Sequence, residues 1–151
     1  MLIRLVRRAH DHGRRVVFTN GCFDLLHAGH VTLFERAKRL GDLLVVGINS
    51  DRSVRALKRP TRPITNEQDR AHMLAALESI DYVTIFSEPT PEWLVRALQP
   101  DVLVKGADWR ARAIVGRKLV EARGGRVVRL PLLQGYSTSK LIERIRRGIA
   151  A

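Results

Sequence analysis

The stretch Val16-Val17-Phe18-Thr19-Asn20-Gly21-Cys22-Phe23-Asp24-Leu25-Leu26-His27-Ala28-Gly29-His30 decides how the chain is read. Its first four residues are β-branched or aromatic and show no polar alternation. That pattern suits a strand covered on both faces. A polar, glycine-containing turn follows. Beyond it, Leu33, Phe34, Ala37 and Leu40 recur at the spacing of one helix face, and Gly41 is a stop signal. In a doubly wound α/β sheet, the loop between such a strand and helix lies at the strand's carboxyl end, where ligands bind.

The rest of the chain repeats the alternation. Leu43–Ile48, Tyr82–Phe86, Val102–Lys105 and Val127–Leu130 read as four further buried strands. An opening helix runs from Leu2 to His10 and ends at Gly13. Further helices are expected from Asn66 to Ser79 with Met73, Leu74 and Leu77 inward, from Pro91 to Leu98, and from Ala111 to Arg123. The last runs from Ser137 to Arg147, with Leu141, Ile142 and Ile145 inward. Right-handed crossovers then predict an α/β fold with a doubly wound, five-stranded parallel sheet of Rossmann-like type. The segment Lys58-Arg59-Pro60-Thr61-Arg62-Pro63 has too many prolines for a helix or central strand and reads as a surface connection.

Composition bounds the function. The 151 residues are 45% hydrophobic and 28% charged, the balance of one folded domain spanning 1–151. A single cysteine, Cys22, excludes an internal disulfide framework and a cysteine-only zinc site. No apolar run approaches the roughly 18 residues needed to span a bilayer, and arginines interrupt the only apolar stretch near the start. A cytoplasmic chain is expected. The net charge is +12, with the excess of cations in residues 1–60 and 105–151 and an acidic middle. Such a balance fits anionic partners, either nucleic acid or phosphorylated small molecules, and also fits a plain solvated surface. Aromatic residues are only 5% and scattered, which leaves no stacking platform for nucleic acid.

The loop after the first strand lacks both the GxGxxG and the GxxxxGK[ST] fingerprints. It has His27-Ala28-Gly29-His30 opening a helix. Spacing i, i+3 places His27 and His30 on one side of the first turn. The free N–H groups and positive end of that turn favour an anion, and Gly29 lets a phosphate approach the backbone. Two imidazoles there can donate to charge developing in a transition state. Two other readings stay open. The histidines could be zinc ligands beside Cys22, although no third ligand is arranged around them. They could equally be incidental polar residues at a cap.

Two further segments fall on the same sheet edge. Gln134-Gly135-Tyr136-Ser137-Thr138-Ser139-Lys140 opens the last helix with hydroxyl residues that can cap it, clamp a phosphate, or do both. Val104-Lys105-Gly106-Ala107-Asp108-Trp109 follows the fourth strand. There Gly106 would let a flat base lie on the backbone and Asp108 would offer an acceptor, or else cap the next helix.

Together, Thr19 to His30, Lys58 to Pro63, Pro100 to Asp108 and Gly135 to Ser139 resemble the cytidylyltransferase-like nucleotidyltransferases. Within them, the chain is most similar to the adenylyltransferase domain of the heptose 1-phosphate enzymes. That resemblance implies transfer of AMP from ATP to D-glycero-D-manno-heptose 1-phosphate with Mg²⁺, giving ADP-heptose and pyrophosphate for lipopolysaccharide or related surface glycans. It implies a stand-alone form, supplied by a separate sugar kinase, and a homodimer. It assigns His27, His30 and Lys58 to catalysis. Phe23, Gly29, Arg62, Gly106, Asp108, Ser137, Thr138 and Ser139 would surround the nucleotide. Asn20, Asp24 and Asp51 would reach the sugar phosphate or ribose. No protein metal ligands are implied, because the substrate phosphates would carry the Mg²⁺.

The chain departs from the pattern at Ala107, where relatives often have glycine, and at Arg59, an added cation. The last segment also resembles glycerol-3-phosphate cytidylyltransferases, but Leu132 and Leu133 stand where those enzymes place an arginine. The chemistry fits the residues. A sugar phosphate has a second pKa of roughly 6 and is mostly a dianion at neutral pH. It needs no general base and no protein nucleophile, only positioning and charge stabilisation for in-line attack. Three alternatives remain: a cytidylyltransferase for a polyol phosphate, a nucleotide-binding module without catalysis, and a basic nucleic-acid-binding module.

Overall fold

The computed structural model describes residues 1–58, 61–107, 110 and 113–148. Five strands form one sheet in the order β3-β2-β1-β4-β5. They are β1 (Val16–Gly21), β2 (Leu43–Asn49), β3 (Tyr82–Phe86), β4 (Val102–Gly106) and β5 (Arg126–Leu130). Every neighbouring pair is parallel. The direction of winding reverses between β1 and β4, so the crevice at their carboxyl ends is the switch point of the sheet.

The helices are α1 (Leu2–Asp11), α2 (Ala28–Lys38), α3 (Asp51–Leu57), α4 (Glu67–Ala75), α5 (Glu92–Leu98), α6 (Arg117–Glu121) and α7 (Thr138–Arg146). Alternate strand residues feed two apolar layers. Val16, Phe18, Leu43, Val45 and Leu103 pack with α1, α5 and α6. Val17, Leu44, Val46, Ile48, Val102 and Val104 pack with α2 and α4. Burial on both sides explains why these strands read as continuous apolar runs.

The strand starts are pinned by aspartates. Asp42 accepts from the Arg15 N–H at 2.7 Å, Asp101 from Val16 at 2.7 Å and Asp81 from Leu44 at 2.7 Å. Each carboxylate precedes one strand and satisfies the first free N–H of its neighbour, or the residue before it, which fixes the relative register.

The expected strands are found, but the edge strands β3 and β5 are only partly buried, and α6 covers only Arg117–Glu121 of the helix expected from Ala111 to Arg123. Other details differ too. A short helix, α3, follows β2 directly, capped by Ser50, whose Oγ accepts from the Ser53 N–H at 3.2 Å. It is too short to show apolar periodicity. On α4, Met73 is 37% exposed while Arg70 is 0% exposed. An arginine therefore takes a place on the buried face that was expected to be lined by methionine. On α7, Ile145 is 66% exposed rather than inward, and the helix buries no residue fully.

Candidate functional site

The site is assembled at the amino end of α2. His27 is its N-cap residue, in extended conformation, and its side chain caps nothing. The His30 N–H closes the first turn on the His27 carbonyl at 2.9 Å. That turn stacks the two imidazoles with centroids 3.8 Å apart and planes 16° apart. Behind them Phe23 meets His30 edge-on at 5.3 Å and Phe34 at 5.0 Å. Phe23 adopts a φ of 46°, a left-handed backbone that a bulky side chain seldom takes. Its buried ring fills the space a side chain at Gly21 would need, since a methyl there would stand 2.9 Å from Phe23 Cζ.

Gly29 sets the position of His27. A methyl group at residue 29 would lie 3.0 Å from His27 Nδ1 and 3.1 Å from both His27 Cε1 and Tyr136 Cβ. Gly29→Ala is therefore expected to push the His27 ring aside, with little loss of helix stability because alanine suits helix interiors. The expected result is a turnover about tenfold or more below wild type at an unchanged melting temperature. Parallel kinetics and thermal melts check it.

Both histidines are held neutral. Burial, with a smaller push from His27, lowers the His30 pKa to about 4, and burial also depresses that of His27. Their Nδ1 atoms are buried and find no hydrogen-bond partner among the described residues. Two imidazole nitrogens without a described partner at a helix N-terminus are a cost the fold retains.

The depressed His30 pKa makes a stability prediction. Between about pH 6.5 and about 4 the unfolded chain binds a proton that the folded chain refuses. Stability contributed by His30 is thus full above pH 6.5 and is lost as the pH falls toward 4. His30→Gln is expected to flatten that part of the melting-temperature profile. A profile identical to wild type between pH 7 and pH 4 would remove this account of His30.

The last helix brings its own amino end to the same place. Ser137 caps α7 by accepting from the Lys140 N–H at 3.4 Å, and Thr138 Oγ1 donates to the Leu25 carbonyl at 3.3 Å. The Tyr136 ring stands 6.0 Å from that of His27. Two helix N-termini, with free N–H groups and hydroxyls, therefore converge on the imidazole pair. Ser139 is exposed beside them. Gly106 is buried as the last residue of β4. At this edge Lys105 Nζ donates to the Asn20 carbonyl at 2.9 Å, while Asn20 Oδ1 is buried without a partner among the described residues. Asp108 lies outside the described residues.

Three expected ligand contacts are given other partners. Asp24 is 1% exposed, and its carboxylate accepts from the Ile64 N–H at 2.8 Å, the Thr65 N–H at 2.9 Å and the Arg62 guanidinium. Burial raises the Asp24 pKa, but the two backbone donors and Arg62 outweigh it and hold it below the ordinary carboxylate range. So Asp24 clasps the loop after α3 instead of facing a sugar, and Arg62 enters that clasp through Nε. Asp51 accepts from Arg70 at 2.7 Å. Lys58 is exposed at the end of α3, close enough to Cys22 for its charge to oppose the rise that burial causes in the thiol pKa.

Arg70 is the residue that sequence reasoning passed over. It also donates to the Cys22 carbonyl at 2.6 Å and the Thr65 carbonyl at 3.0 Å. One buried guanidinium thus joins the loop before His27, the loop after α3 and the start of α3. The signal was present: Arg70 lies four residues before Leu74 and seven before Leu77, on the apolar face.

Among the described residues no group of three or more His, Cys, Asp or Glu is placed to hold a metal ion. The carboxylates nearest the histidines are already engaged.

Comparison with known proteins gives the family. A family model described as cytidylyltransferase-like matches residues 18–144. The chain is 54% identical over 145 residues to the bifunctional protein HldE of Citrifermentans bemidjiense, covering 96% of this chain and 30% of that protein. It is 59% identical over 133 residues to the bifunctional protein HldE of Syntrophotalea carbinolica, covering 88% of this chain and 27% of that protein. The chain thus spans less than a third of the length of these relatives. A solved structure from Thermoplasma volcanium, described as a lipopolysaccharide core biosynthesis protein, superposes with a TM-score of 0.70 at 27% identity. That match covers 81% of this chain and all of the other.

Proposed function

The chain belongs to the cytidylyltransferase-like family, and from that premise we propose that it is a nucleotidyltransferase acting on heptose 1-phosphate and ATP. It joins AMP to the sugar phosphate and releases pyrophosphate. The observation that carries the reading is the neutral, stacked His27–His30 pair between the amino ends of α2 and α7. The name shared by the relatives and the description of the Thermoplasma neighbour support the surface-glycan assignment.

In this mechanism the sugar phosphate dianion attacks the α-phosphorus of ATP. A new P–O bond forms as the bond to the β-phosphate oxygen breaks, and the electron pair leaves with pyrophosphate. No proton must be removed from the nucleophile. His27 and His30 donate hydrogen bonds to the phosphate oxygens as charge shifts toward the leaving group. Their neutral state matters, since each enters the reaction as an oriented donor in a partly desolvated site. The N–H groups of α7, with Ser137, Thr138 and Ser139, hold the triphosphate, and Lys58 reaches over it from the end of α3. Gly106 leaves room for the base. Asn20 Oδ1, unsatisfied at the same edge, is the group left for a sugar hydroxyl. Mg²⁺ arrives with ATP as part of the substrate.

Among the described residues no helix is long and apolar enough to cross a membrane, and we place the reaction in the cytoplasm, carried out by a homodimer. The deciding experiment is pyrophosphate release with Mg²⁺, crossing ATP, CTP and GTP with heptose 1-phosphate and glycerol 3-phosphate. Turnover confined to ATP with the heptose phosphate is expected. Preference for CTP with glycerol phosphate would move the protein to the polyol branch of the family. Silence in every combination, from folded protein that binds ATP, would replace catalysis by nucleotide sensing.

A further inference from the structure

The end of the sheet remote from the histidines carries a concavity of about 730 Å³, at the amino ends of β1, β4 and β5. A smaller one of about 410 Å³ adjoins it, sharing Gly13 and Arg15 and reaching Arg39. The six residues of β1 separate this end from the candidate site, roughly 20 Å of extended chain. Arg7, Arg14, Arg15 and Arg123 line the larger concavity, with His10 half-buried among them. None of these guanidinium groups, nor that of Arg39, pairs with a described acceptor. Asp11 and Asp101 also line the larger concavity, and Asp42 lines the smaller one, so the acids offset part of this charge and leave the arginines in excess. Asp101 accepts from the Val16 N–H at 2.7 Å and faces His10 Nε2 at 3.3 Å, and Asp42 accepts from the Arg15 N–H at 2.7 Å.

We propose that this concavity is a second anion site, which takes a chain of phosphates. Four arginines around one hollow form a set of forked donors suited to phosphate oxygens. The lining has few apolar side chains, so it fits a hydrophilic polyanion rather than an apolar ligand. Its volume holds a triphosphate with room for a nucleoside. Its place at the amino ends of the strands separates it from the nucleotide crevice at the carboxyl ends. The site gives the basic opening helix and the β1 approach a use that the transfer reaction does not.

The test is equilibrium dialysis of the whole chain with inorganic tripolyphosphate, for wild type, Arg14→Glu/Arg123→Glu and His27→Ala. Arg14 and Arg123 are exposed and outside the candidate active site, so both folding and basal turnover are expected to stay at wild-type levels. A binding component that the charge reversal weakens about tenfold or more, and that His27→Ala leaves intact, is the expected result. ATP run in parallel separates the sources: equal loss of ATP binding identifies a nucleotide as the occupant, and loss with tripolyphosphate alone identifies a free phosphate chain. Wild-type binding by the charge-reversed protein overturns the proposal. So does duplex DNA that displaces tripolyphosphate from this component and binds more tightly. The readout is binding, so failure of the adenylyltransferase reading leaves it unaffected.

Discussion

His30→Ala is expected to lower kcat for pyrophosphate release about a hundredfold or more, with His27→Ala close behind. A donor aimed at developing charge in a water-poor site is worth about 2.7–4 kcal/mol of transition-state stabilisation. The two rings are stacked at 3.8 Å and act on one phosphate group in the proposed reaction, so their effects should not add. The double variant is expected to fall little below the worse single one. Stability should move the other way from activity. Removing His30 removes a buried imidazole nitrogen that has no partner among the described residues, together with its penalty on protonation. The variant should therefore melt near wild type at pH 7 and above it at pH 5. Rapid-quench kinetics and melts at both pH values check this. Near-wild-type turnover in both single variants would withdraw the roles assigned to the pair.

Arg70→Met is expected to destabilise the fold by about 3–5 kcal/mol, the usual cost of removing one partner from a buried ion pair. The guanidinium is 0% exposed and serves three acceptors: the Cys22 carbonyl, the Thr65 carbonyl and Asp51. Methionine fills much of the volume but leaves all three unsatisfied. Arg70→Lys should recover only part of the loss, because a single ammonium cannot reproduce the planar fork. Adding Asp51→Asn to Arg70→Met should recover some stability by removing the orphaned charge. Because the Cys22 carbonyl leads into the turn that places His27, the surviving folded fraction should also turn over more slowly. Urea unfolding measures the first effect and activity per folded molecule the second. A loss below about 1 kcal/mol would mean that water replaces the arginine at all three acceptors.

The sheet and the histidine turn were legible in the sequence for the same reason. Both are local patterns read over a few residues. Val16–Thr19 and Leu43–Ile48 announce burial on two faces, and His27-Ala28-Gly29-His30 carries its geometry in its spacing and in the glycine that makes room for a ring. The acidic residues were read less well. Asp24, Asp51 and Asp101 look alike in a sequence, yet one clasps a loop, one pairs with Arg70 and one pins the start of β1. Their partners lie 40, 19 and 85 residues away. Arg70 was legible only as a cation out of place on an apolar face.

By itself, then, the sequence determined the alternation of strand and helix, the two-sided burial of the sheet, and the imidazole pair at a helix start. Backbone periodicity and capping act within a few residues, so short segments encode them. Tertiary structure alone decided which carboxylates bind the protein's own backbone, which arginine is buried, and where arginines without a described partner gather at the far end of the sheet. Those outcomes depend on which distant groups compete for the same hydrogen-bond donors once the chain has closed, and a polar group buried by folding must take the partner that packing brings to it.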